Sequence, residues 1–271
     1  MKPPVPIIFL SGAGGGAPDL RLFRDGAGDP TRVEVIGYPG WRRYVSEGCS
    51  ADSLIDDLAA EIALTIPTGP IRIVGFSIGG HFGYAVARRL LAQGRDIAGL
   101  CAIDSTMIES SGPSAGWRGR ALEQALELLG GLRFGHLARF MRSKFWRALL
   151  RALGDRLPAT ARRYAASLSL VCRCDPILEH ELSMRLLIRL AAPWMASLDR
   201  NPVALNAPVI LLRTGLAAND DEAWRRRCPN IEIFEISGKH HNMLQSGNLG
   251  KLHEVFIRAT RSWRESPMAW Q

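Results

Sequence analysis

What this chain lacks narrows its class before any motif is read. No apolar run approaches the roughly 18 residues that a membrane-spanning helix needs. No signal peptide is legible at the start: Lys2 is followed by Pro3 and Pro4, and the apolar stretch Val5–Leu10 is too short for a secretory core. A cytoplasmic protein with no membrane span is therefore expected. Cysteine is sparse. Cys49, Cys101, Cys172, Cys174 and Cys228 are odd in number and lack framework spacing, which argues against a disulfide scaffold. Cys172 and Cys174 form C-x-C without a second Cys or His pair nearby, and zinc usually takes three or four protein ligands, so no metal is expected. Lysine is scarce as well: 30 of the 34 basic residues are Arg, and the net charge is +8. Such an excess reads either as a compositional habit, with Arg solvating the surface, or as the mark of an acidic partner. No nucleic-acid motif accompanies it, so no nucleic-acid partner is expected. Internal repeats, low-complexity segments and long linkers are absent too.

What is present is an ordinary globular composition, with 47% hydrophobic and 22% charged residues over 271 positions. Six short β-rich runs stand out: Val5–Leu10, Arg32–Ile36, Ile71–Phe76, Ile97–Ile103, Val209–Arg213 and Ile231–Ile236. They are nearly continuous in apolar residues, as parallel strands buried on both faces are. Helical stretches alternate with them. Ser50–Ile66 opens on the candidate caps Ser50 and Asp52 and stops before Pro67, and Ile78–Gln93 ends at Gly94. The alternation predicts an α/β fold with a mostly parallel sheet of about six strands. One interval breaks it. From about 105 to 206 the pattern is helical, clearest over Ala138–Leu153, where Lys144, Arg147 and Arg151 share one face and Phe145, Trp146, Leu149 and Leu153 another. This stretch reads as a helical cap inserted over the C-terminal edge of the sheet, within a single domain spanning 1–271.

The chemistry concentrates where the third strand meets its helix. Gly75-Phe76-Ser77-Ile78-Gly79 matches G-x-S-x-G, the nucleophile elbow of α/β hydrolases. A nucleophile in so tight a turn brings the residues two before and two after it together, and glycine at both positions avoids the clash. The turn lifts the Ser77 hydroxyl out of the sheet and leaves the Ile78 N–H at a helix start, where it can bond a developing oxyanion. The plain alternative is a glycine-rich turn with Ser77 as helix cap. After the first strand, Gly12–Ala17 fits the dinucleotide variant G-x-G-x-x-A. That reading wants an acid at the tip of the second strand, whereas Glu34 lies inside it. The competing reading is a loop whose backbone, at Ala13, completes an oxyanion hole.

A serine elbow needs an acid and then a histidine later in the chain. His81 lies one turn into the elbow helix, His136 and His180 in the inserted stretch, and His253 on the last helix. His240 and His241 follow the last strand, where this fold delivers its base. The acid is Asp104, ending the fourth strand, or Asp220 or Asp221 after the fifth. Asp104 stands on a rigid strand end, whereas the other two could begin a short helix.

Together these segments resemble the type I thioesterase domains that release products from nonribosomal peptide and polyketide synthetases. GFSIGGHFGYAVARRLLAQGRDIAGLCAIDS resembles that family's nucleophile helix and the strand ending in Asp. FLSGAGG resembles its first oxyanion loop, and NPVALNAPVILLRT its run into a late strand. DDEAWRRRCPNIEIFEISGKHHNML resembles its acidic-x-x-Trp segment and G-x-H-x-x-M-L ending. The resemblance implies an α/β-hydrolase fold, Ser77 as nucleophile, Asp104 as acid, His240 as base, and Ile78 and Ala13 as oxyanion donors, with no cofactor. It also implies an acyl or peptidyl thioester substrate, free or bound to a carrier protein. A carboxylesterase or lipase with the same triad, and a dinucleotide-binding protein using Gly12–Ala17, are the alternatives. The inserted stretch carries no motif of the family.

Overall fold

The structure is a computed structural model. It describes residues 5–15, 33–105, 134–167, 175–215, 221–238, 240, 243–244, 246–261 and 263. Six strands are present: β1 (Ile7–Leu10), β2 (Val33–Ile36), β3 (Ile71–Phe76), β4 (Ile97–Ile103), β5 (Val209–Thr214) and β6 (Ile231–Ile236). The helices among the described residues are α1 (Trp41–Tyr44), α2 (Ala51–Thr65), α3 (Ile78–Ala92), α4 (Phe134–Leu153), α5 (Leu157–Ser167), α6 (Pro176–Arg200), α7 (Asp221–Arg227) and α8 (Ser246–Ala259).

The strands form one parallel sheet in the order β2-β1-β3-β4-β5-β6. This is the α/β fold, with its helical insertion, that the alternating pattern predicts. The central strands β1, β3, β4 and β5 are buried almost throughout, which is why they read as unbroken apolar runs. The edge strands β2 and β6 are only partly buried and carry Glu34, Glu232 and Glu235, charges that discourage further strand pairing. Two boundaries shift from the sequence pattern. Val5 and Pro6 precede β1, since proline offers no ladder N–H, and β5 extends one residue to Thr214. The chain leaves β1 to one side for β2 and returns on the other side as β3. Such a reversal opens a crevice beyond the strand ends, between the loop after β1 and the turn after β3.

The chain divides into two compact units. The first holds the sheet together with 50–107 and 191–271. One sheet face packs Phe9, Val74, Cys101, Ile103 and Leu212 against Leu249, Leu252, Phe256 and Trp263 from α8 and beyond. On α2, Ser50 caps the helix: its hydroxyl accepts the Ser53 N–H while Ser53 reaches back to the Ser50 N–H.

The second unit comprises Pro39–Cys49 and Ile108–Leu190. Its described residues bury Trp41, Leu150, Leu157, Leu182 and Leu186 and are also tied by polar contacts. The Trp41 N–H donates to Ser183 Oγ at 3.1 Å, and the Trp41 ring stacks on Tyr164. Arg162 Nε donates to the Val45 carbonyl. On α4 the two faces differ from the pattern expected. Arg147 turns inward, its Nε 2.6 Å from Oε1 of Glu181, a carboxylate only 2% exposed that also accepts the Ser143 hydroxyl. A buried carboxylate must be paired, and that need draws Arg147 away from the solvated face. Trp146 likewise donates its indole N–H to Asp175, while Phe145 and Leu149 face solvent.

Candidate active site

The turn between β3 and α3 is built around strain at one residue. Ser77 has φ 57° and ψ −125°, a left-handed conformation that a non-glycine residue adopts only when its surroundings enforce it. The enforcement is visible on both sides. The Ser77 N–H donates to the Ile103 carbonyl at 2.8 Å, and its own carbonyl accepts the Gly80 N–H at 3.0 Å. A methyl group on Gly75 would overlap the Gly79 carbonyl, and one on Gly79 would overlap the Leu10 carbonyl. Both glycines of G-x-S-x-G are thus set by close backbone approach. Ile78 is the first residue of α3, so its N–H belongs to the orphan donors of a helix start.

The glycine loop lies against this turn. A methyl group on Gly12 would stand 3.1 Å from Phe76 Cδ1 and 3.4 Å from Ser77 Cβ. The loop closes in a tight turn, with the Gly15 N–H on the Gly12 carbonyl at 3.0 Å and Ala13 at its centre, and the Tyr38 hydroxyl holds the Ser11 carbonyl at 2.8 Å. Gly16 and Ala17, the second half of the dinucleotide pattern, lie outside the described residues.

Asp104 follows β4 directly, in a second left-handed position (φ 44°), with its N–H donating to the Leu212 carbonyl at 2.6 Å. Its side chain is buried and fully engaged. Oδ1 accepts both the N–H and the hydroxyl of Thr214, each at 3.0 Å, and Oδ2 stands 2.7 Å from His240 Nδ1. Burial pushes the Asp104 carboxyl up. The hydrogen bonds from His240 and from Thr214, and the His240 charge, outweigh it and hold the carboxyl below the usual carboxylate range. The His240 ring stacks on Phe76, the neighbour of Ser77, with centroids 5.1 Å apart, and its side chain is 47% exposed. A carboxylate at Nδ1 favours a proton on that nitrogen and leaves Nε2 free of this contact.

The other candidates are placed elsewhere. Asp221 begins α7 and pairs with Arg213, Oδ1 to Nε 2.8 Å, not with a histidine. His81 is buried, stacked on Trp224. His180 is exposed, and His253 is half-buried beside Phe256. Asp220, His241, Cys172, Cys174 and the side chain of His136 lie outside the described residues. Among the described residues no group of three or more His, Cys, Asp or Glu could hold a metal ion.

Two residues of the site escape a reading of the sequence alone. Thr214 reaches Asp104 because β4 and β5 pair Ile103 with Leu212, which carries the next residues of each strand past one another. The signal was faint: a hydroxyl residue directly after an apolar strand. Trp224 donates its indole N–H to the Ser105 carbonyl at 2.9 Å, fixing the residue after Asp104, and it stacks on His81 of α3 with centroids 5.3 Å apart. It therefore ties the turn bearing Asp104 to the helix that follows Ser77.

The Thioesterase domain family matches residues 6–257 of the chain, and the chain belongs to that family. Among curated proteins, the non-reducing polyketide synthase atnG of Arthrinium sp is 36% identical over 101 residues, 37% of this chain and 5% of that protein. The conidial yellow pigment biosynthesis polyketide synthase of Emericella nidulans is 36% identical over 117 residues, 38% of this chain and 5% of that protein. The chain thus spans only a small part of these relatives' length. Among solved structures, the NocB thioesterase domain in covalent complex with a fluorophosphonate nocardicin G analog is similar over 95% of both chains, at 18% identity and a TM-score of 0.63. The wild-type Vlm2 thioesterase domain is similar over 95% of both chains, at 20% identity and a TM-score of 0.60. At these identities the likeness is one of fold.

Proposed function

We propose that this member of the thioesterase-domain family is a serine-dependent acyl hydrolase or transferase that cleaves an acyl or peptidyl thioester through an acyl-enzyme on Ser77. The reading rests on one observation: a buried carboxylate, Asp104, bonded at 2.7 Å to a half-exposed imidazole, His240, whose ring stacks on the residue preceding a strained serine. In this scheme His240 Nε2 takes the Ser77 proton as Oγ attacks the thioester carbonyl. The tetrahedral oxyanion is held by the N–H groups of Ile78 and Ala13. Asp104 keeps the proton of the neutral ring on Nδ1 and stabilises the imidazolium. His240 then protonates the leaving sulfur, and water or an internal nucleophile of the acyl chain resolves the ester on Ser77. The proximity of Gly12 to Ser77 favours the oxyanion role for the glycine loop over nucleotide binding. The stretch over about 105–206 is read as a helical insertion within one α/β-hydrolase domain.

The polyketide synthases and the thioesterase domains among the relatives point to a carrier-bound thioester of polyketide or nonribosomal peptide biosynthesis as the substrate class. The test is intact-protein mass spectrometry after exposure to a panel of acyl thioesters and matched oxygen esters, beside fluorophosphonate labelling. Wild type should carry a probe adduct and an acyl adduct from thioesters, and Ser77→Ala neither. Equal labelling of both proteins sinks the nucleophile assignment. Turnover of oxygen esters alone would favour a carboxylesterase.

A further inference from the structure

We propose that the outward face of α4 is an interfacial binding surface for a bilayer containing anionic lipid. Ala138, Met141, Phe145, Ala148, Leu149 and Ala152 are all exposed, and Met141, Phe145 and Leu149 are 55%, 60% and 41% exposed. At ~100° per residue they fall within an arc of about 100°, one continuous apolar ridge along the helix. The opposite side of α4 is already used: Ser143 and Arg147 bond Glu181, Trp146 bonds Asp175, and Leu150 is buried. The ridge is therefore not the packing face of this helix.

The charges beside the ridge have one sign. The 20 residues of α4 contain five cations and no Asp or Glu. Arg142 borders one edge of the ridge, and Lys144 and Arg151 border the other. Arg142 has Asp175 as a partner, but no ion pair among the described residues engages Lys144 or Arg151. Positive charge is in excess there. Burial first, and then Arg147 and Arg151, hold Lys144 below the usual lysine range, with Glu181 pulling the other way. A second copy of this chain on the same face would set these cations against their equivalents. An acidic protein would have to supply a groove to receive a standing ridge. A bilayer takes the ridge among its acyl chains while long basic side chains on both edges reach the headgroups. None of the described helices is long and apolar enough to cross a membrane, so the contact is one of lying on the surface.

The proposal does not depend on the chemistry assigned to Ser77, and the measurement that decides it is vesicle binding. The full chain is sedimented with vesicles of phosphatidylcholine alone and with vesicles containing about one-third phosphatidylglycerol. Binding is expected to the second only, and to weaken with added salt. The double variant Lys144→Gln/Arg151→Gln should weaken it by roughly thirtyfold. Phe145→Ser/Leu149→Ser should weaken it by about a hundredfold. All four residues are solvent-facing or half-buried without ion pairs, and unchanged circular dichroism and melting temperature verify folding. No binding to anionic vesicles, or binding that survives both variants, overturns the proposal. Loss of reaction with a carrier-bound thioester in these variants, with vesicle binding absent in wild type, assigns the face to an acidic protein instead.

Discussion

The sheet unit and the helical unit are specified by different physics. In the sheet unit the decisive positions are places where nothing else fits: glycines 75 and 79 against backbone carbonyls, and left-handed residues at 77 and 104. Thr214 and His240 converge on one buried carboxylate, Asp104. In the helical unit ion pairs and hydrogen bonds link the helices beside a set of buried leucines, and Met141, Phe145 and Leu149 stand exposed. Steric exclusion of the first kind dictates residue type at fixed spacing and leaves a motif. Pairing of the second kind can be met by many sequences and leaves none. The two units should accordingly differ in how mutation is felt, through turnover in one and through local stability in the other.

The largest contrast lies within the sheet unit, between its two aspartate loops. Asp104→Asn should lower turnover by about four orders of magnitude with the fold intact, because the amide can donate to Nδ1 and favour the wrong tautomer. Asp221→Asn touches only the Arg213 pair and should cost less than about tenfold. Steady-state kinetics on one thioester, with melting curves for both variants, checks the pair. Comparable losses in the two would dissolve the distinction.

In the helical unit the matching experiment removes Arg147. Arg147→Met leaves Glu181 buried with the Ser143 hydroxyl as its hydrogen-bond donor and should destabilise by roughly 2 kcal/mol, discounted for the exposure of the arginine. Hydrogen exchange locates the loss. Amides of α4 and α6 should exchange faster while those of β3 and β4 keep their protection. Uniform loss across both units would show that they unfold together.

How much could be read beforehand follows the same division. The strands were legible because burial on both faces writes continuous apolar runs, and the elbow because close backbone approach admits only glycine. The contact between Asp104 and His240 follows the expectation drawn from chain order and a rigid strand end, while the pairing of Asp221 with Arg213 is one that no spacing reveals. Thr214 was invisible because its contact depends on the register of two strands more than a hundred residues apart in sequence. On α4, periodicity separated charged from apolar positions but could not tell which side packs. The buried carboxylate that decides it, Glu181, comes from another helix. Its pairing with Arg147 sets that charged residue toward α6 and leaves Phe145 and Leu149 exposed.

Thr214 offers a finer test of the sheet unit. Thr214→Val keeps the backbone N–H on Asp104 Oδ1 and removes only the hydroxyl. A hydrogen bond to a charged group contributes about 1.5 kcal/mol, so turnover should fall by about tenfold with KM unchanged. Thr214→Ser should restore it. A loss that Ser does not rescue would mean that packing of the threonine methyl, not its hydroxyl, matters at this position.

The smallest expected effect is on stability, and it also separates the units. Asp104 is held below its ordinary carboxyl range by groups present only in the folded protein, with burial opposing them. The unfolded chain, whose aspartates titrate near ~3.9, therefore binds the proton more readily than the native state does. The contribution of Asp104 is fully present above that unfolded value and is lost as the pH falls through the lower, folded one. Urea midpoints of wild type and Asp104→Asn, compared from about pH 6 down to about pH 3, should show a gap that is widest at the upper end and narrows with acid. The same comparison with Asp221→Asn should show no such narrowing traceable to Asp104. In the helical unit, Arg147→Met should leave the Asp104-dependent slope unchanged, because Asp104 and the residues bonded to it all belong to the sheet unit. A gap between wild type and Asp104→Asn that widens toward acid would mean that burial dominates at this carboxyl and that the bonds from Thr214 and His240 do not compensate it.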